Sequence, residues 1–312
     1  MAVNAMPASL TLGPILFHWE ADRKRDFYAR IADECAVDTV CLGEVVCSKR
    51  APFFEQHIPD MIERLERAGK RVVLSSLAEV VLPRERAATE ALCGGDGYEV
   101  EINNAAGFLA ARGRPHRIGQ LMNVYNVETL GHLVTRGATH ASLPAELPGS
   151  AVALLARAGA DLGVGIEVQI FGRASLALSS RCYHARAHGR HKDNCQFVCE
   201  QDPDGMPLRT MEGQDFLAVN GIQTLSHSYV NLAGEVPALL DMGVTHLRLA
   251  PHTVDMVAVA AIFADQIRGA IDPAEAMARF GELGVDAPFS NGFWHGIAGY
   301  RHQPPLRLQR AV

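Results

Sequence analysis

Short apolar runs recur along the chain, and most are followed by a stretch whose apolar positions return every three or four residues. That alternation is the pattern of parallel βα units. Eight runs are predicted as strands: Leu10–Phe17, Thr39–Leu42, Arg71–Ser75, Tyr98–Ile102, Ile118–Asn123, His140–Leu143, Gly165–Phe171 and Thr245–Leu249. Between the second and third, Ile58, Met61, Ile62 and Leu65 fall at i, i+3, i+4 and i+7, which places one apolar stripe on a helix. Ala151–Ala158 and Val254–Ile267 also read as helical. Eight strands with interleaved helices predict an α/β fold, a (β/α)8 TIM-like barrel, with an open parallel α/β sheet as the alternative.

The rhythm breaks once, between about Gly172 and Asn231, where the sequence turns polar and Asp202-Pro203-Asp204-Gly205 signals a turn. This stretch is read as an insertion after the seventh strand. With 312 residues, 48% of them hydrophobic, the chain suits a single barrel domain spanning residues 1–312, insertion included.

Lys and Arg total 29 against 35 Asp and Glu, a net charge of −6, which argues against a generally basic nucleic-acid binder and against DNA as a partner. The first twenty residues lack a cationic region ahead of an apolar run, and no uncharged apolar run approaches the roughly 18 residues that span a bilayer. The expectation is a soluble, cytoplasmic protein without a transmembrane segment, in a compartment where its seven cysteines stay reduced.

Three of those cysteines, Cys182, Cys195 and Cys199, stand in the insertion with C-x12-C-x3-C spacing. Reduced thiols this close in sequence point to a metal or cluster site. A fourth ligand must come from Cys35, Cys41, Cys47 or Cys93. Barrel chemistry sits on the loops at the C-terminal ends of the strands. Cys47 lies just past the second strand and Cys182 past the seventh, on that same face. Cys41 falls inside a strand, Cys35 in the last turn of a helix, and Cys93 at a helix end before Gly94-Gly95, all read as small buried apolar residues. Topology therefore favours Cys47.

Four thiolates hold either zinc or an iron-sulfur cluster. Only Cys195 and Cys199 form a close pair, whereas structural zinc sites usually comprise two, so the spread suits a larger cofactor. Between Gly172 and Lys192 stand Arg173, Arg181, Arg186, Arg190 and Lys192 with no Asp or Glu. This run is read either as a field stabilising thiolates or as a solvated basic loop. His184, His188 and His191 are secondary candidates as ligands or proton carriers. Gly94-Gly95-Asp96-Gly97 reads as a turn, and neither G-x-S-x-G nor H-E-x-x-H occurs, so no catalytic acid, base or nucleophile is assigned.

Glu167-Val168, Gly172 and Ser179-Ser180-Arg181-Cys182-Tyr183 together resemble the signature segment of the collagenase-like (U thirty-two) peptidase family. The positions where that signature usually has a His and a further Cys hold Phe171 and Ser175. The block Leu42-Gly43-Glu44-Val45-Val46-Cys47-Ser48-Lys49-Arg50 is similar to a ubiquinone-biosynthesis branch of the family. Gly13-Pro14, Lys192-Asp193, Asn220-Gly221-Ile222-Gln223-Thr224 and Asn291-Gly292-Phe293-Trp294 look like the same branch. The resemblance implies that Cys47, Cys182, Cys195 and Cys199 hold a 4Fe-4S cluster in a subunit of an oxygen-independent ubiquinone hydroxylase and not in a peptidase. It further implies a heterodimer with UbiU, the lipid-binding accessory protein UbiT, a ubiquinone precursor as substrate and prephenate as oxygen source. RNA hydroxylation and a four-cysteine zinc structural subunit are the alternatives.

Overall fold

The protein is described here by a computed structural model covering residues 8–304. In chain order its strands are β1 (Ser9–Leu12), β2 (Thr39–Leu42), β3 (Arg71–Ser75), β4 (Glu99–Ile102), β5 (His116–Ile118), β6 (Ala138–Ser142), β7 (Gly165–Leu178), β8 (Met206–Arg209), β9 (Asp215–Asn220), β10 (Gln223–Asn231), β11 (His246–Leu249) and β12 (Phe289–Ser290). The helices are α1 (Ala21–Glu34), α2 (Ile58–Arg67), α3 (Pro83–Gly94), α4 (Ala106–Ala111), α5 (Val127–Val134), α6 (Gly149–Leu162), α7 (Tyr183–Ala187), α8 (Val236–Asp241), α9 (Met256–Ile267) and α10 (Pro273–Gly281).

Strands β1 to β7 and β11 form a ring of eight parallel strands, closed because β11 pairs with β1 on one side and β7 on the other. The open-sheet alternative is thereby excluded. Ring strands are covered on both faces, so they read as short apolar runs. In β2 all four residues are buried. Outside the ring, α2 turns Met61, Ile62 and Leu65 inward, as its spacing predicts. Inside, Glu101 of β4, Glu167 of β7 and Arg248 of β11 meet, with Arg248 Nη1 donating to Glu101 Oε2 at 2.6 Å and Glu167 Oε2 at 2.7 Å.

All eight predicted strands lie in the ring, Thr39–Leu42 and Arg71–Ser75 with the predicted limits and the others with shifted ones. The first ends at Leu12, ahead of Gly13-Pro14, because proline has no N–H to donate to a ladder. The fifth is His116–Ile118, and most of the predicted remainder is a 3-10 turn, Gln120–Met122. The helix predicted over Ala151–Ala158 extends to Gly149–Leu162.

The insertion is more ordered than its polar sequence suggests. β7 runs beyond the ring to Leu178 and pairs antiparallel with β10, which pairs with β9, which pairs with β8. In β10 Leu225 is buried between the half-buried Thr224 and Ser226, and the polar Gln223, Ser228 and Asn231 are buried as well. The insertion is fastened to the barrel by Asp204, which accepts hydrogen bonds from His252 Nδ1 at 3.2 Å and the Thr253 N–H at 3.0 Å. No described helix is long and apolar enough to cross a membrane. The N-terminal reading falls partly on residues 1–7, outside the described residues.

Candidate metal centre at the barrel mouth

Cys47, Cys182, Cys195 and Cys199 line one small cavity on the C-terminal side of the ring. Cys47 follows β2 and leads a 3-10 turn, Ser48–Phe53. Its loop is held by Glu44 Oε1, which accepts the N–H groups of Val46 at 3.0 Å and Cys47 at 2.9 Å. Gly43 makes that loop possible, for its φ is +134° and an added Cβ would stand 2.4 Å from the Ser75 carbonyl oxygen. Cys182 leads α7, and its sulfur accepts the Ala185 N–H at 3.4 Å. Between Cys195 and Cys199 the chain curls through Gln196 (φ 47°) and Phe197 (φ 51°), both left-handed. That conformation costs a non-glycine residue about 1–2 kcal/mol. Strain of this kind is held in place by its surroundings and concentrates at functional sites.

The other three cysteines do not line this cavity. Cys35, Cys41 and Cys93 are all buried, Cys93 in a small apolar cluster with Val100, Ile102 and Ala111. Burial pushes the thiols of Cys35 and Cys93 up to about 11, and that of Cys41 higher still. They stay protonated and serve as small apolar residues. Burial also raises the thiols of Cys47, Cys182 and Cys199, but Arg50 opposes it at all three.

Arg50 is the dominant charge here. It is 1% exposed, donates from Nη1 to the Leu16 carbonyl at 2.9 Å and from Nη2 to Asn220 Oδ1 at 2.9 Å, and leaves Nε without a partner. Gly221 leaves it room, since a Cβ there would stand 2.7 Å from Nη2. Among the described residues no carboxylate comes within 4.0 Å of it. Burial opposes its charge, but Glu44 and the sulfurs of Cys199 and Cys47 outweigh that and hold its pKa above the ordinary value. Lys24 is likewise buried without an ion pair, its pKa lowered by burial while Glu44 and Cys199 pull it back. Lys49 donates from Nζ to the Lys192 carbonyl at 2.6 Å and lies 3.8 Å from Cys195 Sγ.

The cations lining the cysteine cavity are therefore Lys49, Arg50 and Lys192, and most of the basic run expected to supply them does not. Arg173 points elsewhere, buried with its guanidinium over the Tyr229 ring at 4.6 Å, while Arg181 and Arg186 are exposed. The sequence signal that was missed is the Lys49-Arg50 pair two residues beyond Cys47.

Sulfur spacing bears on the kind of metal. Four thiolates on one zinc ion, each at about 2.3 Å, stand about 3.8 Å apart. Among the described residues no three of these sulfurs lie within 4.8 Å of one another. His184, His188 and Asp202 do satisfy that distance, with His184 Nε2 2.8 Å from Asp202 Oδ2. His184 borders the cysteine cavity and its buried Nδ1 has no partner. His191 is exposed.

A buried Asp204–His252 pair was not anticipated. It resembles the acid–base half of a hydrolase triad, but His252 Nε2 accepts the Arg173 N–H at 3.0 Å, so both ring nitrogens are engaged within the scaffold.

Residues 25–282 match the sequence profile of peptidase family U32. The chain belongs to that family. Among solved structures, an enolase of Agrobacterium radiobacter bound to sodium and L-malate is similar at 15% identity and a TM-score of 0.37, over 53% of this chain and 46% of that one. A type I 3-dehydroquinate dehydratase of Clostridium difficile aligns at 7% identity and a TM-score of 0.22, over 93% of this chain and 78% of that one. In this U32 chain Ser175 accepts from Gln223 Nε2 at 2.9 Å and lines a separate polar hollow with Gln169 and Arg248.

Proposed function

We propose that this chain is the iron-sulfur subunit of an oxygen-independent ubiquinone-ring hydroxylase, the counterpart of the ubiquinone biosynthesis protein UbiV, with a 4Fe-4S cluster on Cys47, Cys182, Cys195 and Cys199. The observation that carries this reading is the buried Arg50 guanidinium on the wall of the cysteine cavity, which no described carboxylate approaches within 4.0 Å and whose charge Glu44 and the sulfurs of Cys199 and Cys47 together stabilise. A buried charge needs a counter-charge close by. A thiolate-bound cluster is anionic and supplies it. The donor set fits, being four thiols on one cavity, spaced more widely than a single zinc ion requires. When bound, such a cluster supplies one-electron redox chemistry or an iron that binds an oxygen donor. The chain's own part is to hold four thiols from two loops in one place, to balance their charge with Arg50, Lys49 and Lys192, and to shield them with Phe197 and Val198.

UbiU as the paired subunit, UbiT as the carrier of the lipid precursor and prephenate as the oxygen source belong to the same proposal. The net charge of −6 counts against RNA as substrate. The test is anaerobic co-production with the paralogous subunit and an assay of ring hydroxylation with and without prephenate. Hydroxylated product that requires prephenate and disappears in Cys182→Ala is expected. Product from the variant at the wild-type rate, or modification of RNA alone, would contradict the proposal.

A further inference from the structure

The insertion holds a second group of donor atoms beside the cysteines. His184 lies in α7 and His188 directly follows that helix, so the two fall at i and i+4 on one side of the turn. Asp202 follows the 3-10 turn Val198–Gln201 that carries Cys199. One donor atom from each of the three lies within 4.8 Å of the others. His184 Nε2 is 2.8 Å from Asp202 Oδ2, and the two imidazole rings are stacked with centroids 5.7 Å apart. Among the described residues Asp202 makes no other ion pair.

An ordinary His–Asp pair accounts for only part of this arrangement. It has no need of His188, which is exposed and yet lies parallel to the buried ring. In such a pair His184 donates from Nε2, and its Nδ1 is left as a bare acceptor. His184 is fully buried on the wall of the cysteine cavity, and that Nδ1 has no partner. Thiolates offer it no proton. A metal ion on Nε2 reverses the polarity, because the neutral ring then carries its one proton on Nδ1. The buried nitrogen becomes a donor on the wall of an anionic site.

We infer that His184, His188 and Asp202 form a site for one divalent transition ion, zinc or iron(II), distinct from the four-cysteine centre. Two imidazoles and a carboxylate suit such ions, whereas magnesium and calcium take oxygen ligands. Three protein ligands leave a position open to water or another oxygen ligand, as catalytic metal sites do. The exposed His188 gives the ion a way in from solvent. The ion also has a task in the fold. His184 stands two residues beyond Cys182 and Asp202 three beyond Cys199, so it ties together both ends of the segment that carries three of the thiols. The three donors need no cluster, so this site stands or falls apart from the functional reading.

The test is anaerobic equilibrium dialysis of the full-length chain, after a citrate wash, against cobalt(II), a spectroscopic stand-in for zinc and iron(II). About one equivalent of cobalt with the weak visible bands of nitrogen and oxygen ligands is expected, displaced by excess zinc and not by magnesium. His188→Ala and Asp202→Asn should each weaken that binding by roughly tenfold or more, with far-ultraviolet circular dichroism unchanged. His191→Ala, which removes an exposed histidine of the same segment, should leave it intact. Equal cobalt uptake by wild type and His188→Ala, or cobalt held on thiolates alone, would overturn the inference.

Discussion

Lys49 and Cys195 are 146 residues apart in the chain, yet the ammonium of one stands 3.8 Å from the sulfur of the other. The same ammonium donates to the Lys192 carbonyl at 2.6 Å, so one side chain from the loop after β2 fixes the insertion loop against Cys47. Lys49→Met should therefore loosen the C-x3-C loop and lower iron content while leaving the ring folded. Metal analysis beside far-ultraviolet circular dichroism checks this, and wild-type iron content in the variant would show that the contact is incidental.

Arg50 sets the charge of the site. Hydrogen bonding and net charge around an iron-sulfur cluster tune its potential, and a buried cation favours the more negative, reduced state. Arg50→Gln should shift the midpoint potential to more negative values in an anaerobic redox titration of the cluster-loaded fraction. An unchanged potential would mean that the guanidinium serves only its contacts with Leu16 and Asn220.

Glu167 governs acid stability. Burial opposes its charge, but Arg248 and Arg117 outweigh burial and hold its pKa at about 2 against an ordinary 4.5. A carboxylate depressed in the folded state contributes stability that is fully present above its unfolded pKa and is lost as pH falls through the folded one. The window is thus about pH 4.5 down to 2, and the contribution is on the order of 3 kcal/mol. Glu167→Gln should be less stable at neutral pH, with a correspondingly shallower loss of stability across that window in denaturant titrations. Parallel pH profiles for the two proteins would refute the assignment.

The edge of the antiparallel sheet bears on the expected heterodimer. Met211 is 99% exposed and Phe216 57%, both in the β8–β9 hairpin. Permanent interfaces bury about 2,000 Å2 or more and are rich in such side chains. Met211→Asp combined with Phe216→Asp should reduce co-purification with the paralogous subunit and shift sedimentation toward free monomers, with iron content unchanged. Undiminished complex would place the interface elsewhere.

Loss of the cluster should be felt locally. The antiparallel pairing of β7 with β10 orders much of residues 172–231 without any cofactor, which narrows the cofactor-dependent part to about residues 179–201 and the loop at Cys47. Hydrogen exchange on holo and apo protein should show deprotection in those two places only. Loss of protection throughout the ring would mean that the cluster supports the entire barrel.

The barrel was legible in the sequence because its strands are covered on both faces and so appear as apolar runs. The stripe Ile58, Met61, Ile62 and Leu65 was legible because α2 faces the core on one side only. Cys47 could be chosen because strand order dictates which loops share a face. β8, β9 and β10 were missed because their strands mix apolar with polar residues, and in Gln223–Asn231 the buried polar Gln223, Ser228 and Asn231 make a strand look like loop composition. Arg50 and Lys24 were missed for a different reason. A buried cation is spelled like an exposed one, and only the surrounding fold reveals that no carboxylate meets it.

The central claim is that Cys47 completes a cluster site with Cys182, Cys195 and Cys199. Iron and acid-labile sulfide analysis with visible spectroscopy on anaerobically purified single variants tests it most directly. Cys47→Ala, Cys182→Ala, Cys195→Ala and Cys199→Ala should each lose the cluster and its absorbance, whereas Cys35→Ala, Cys41→Ala and Cys93→Ala should keep both. A full complement of iron and sulfide in Cys47→Ala, or their loss from a folded Cys93→Ala, would contradict the account.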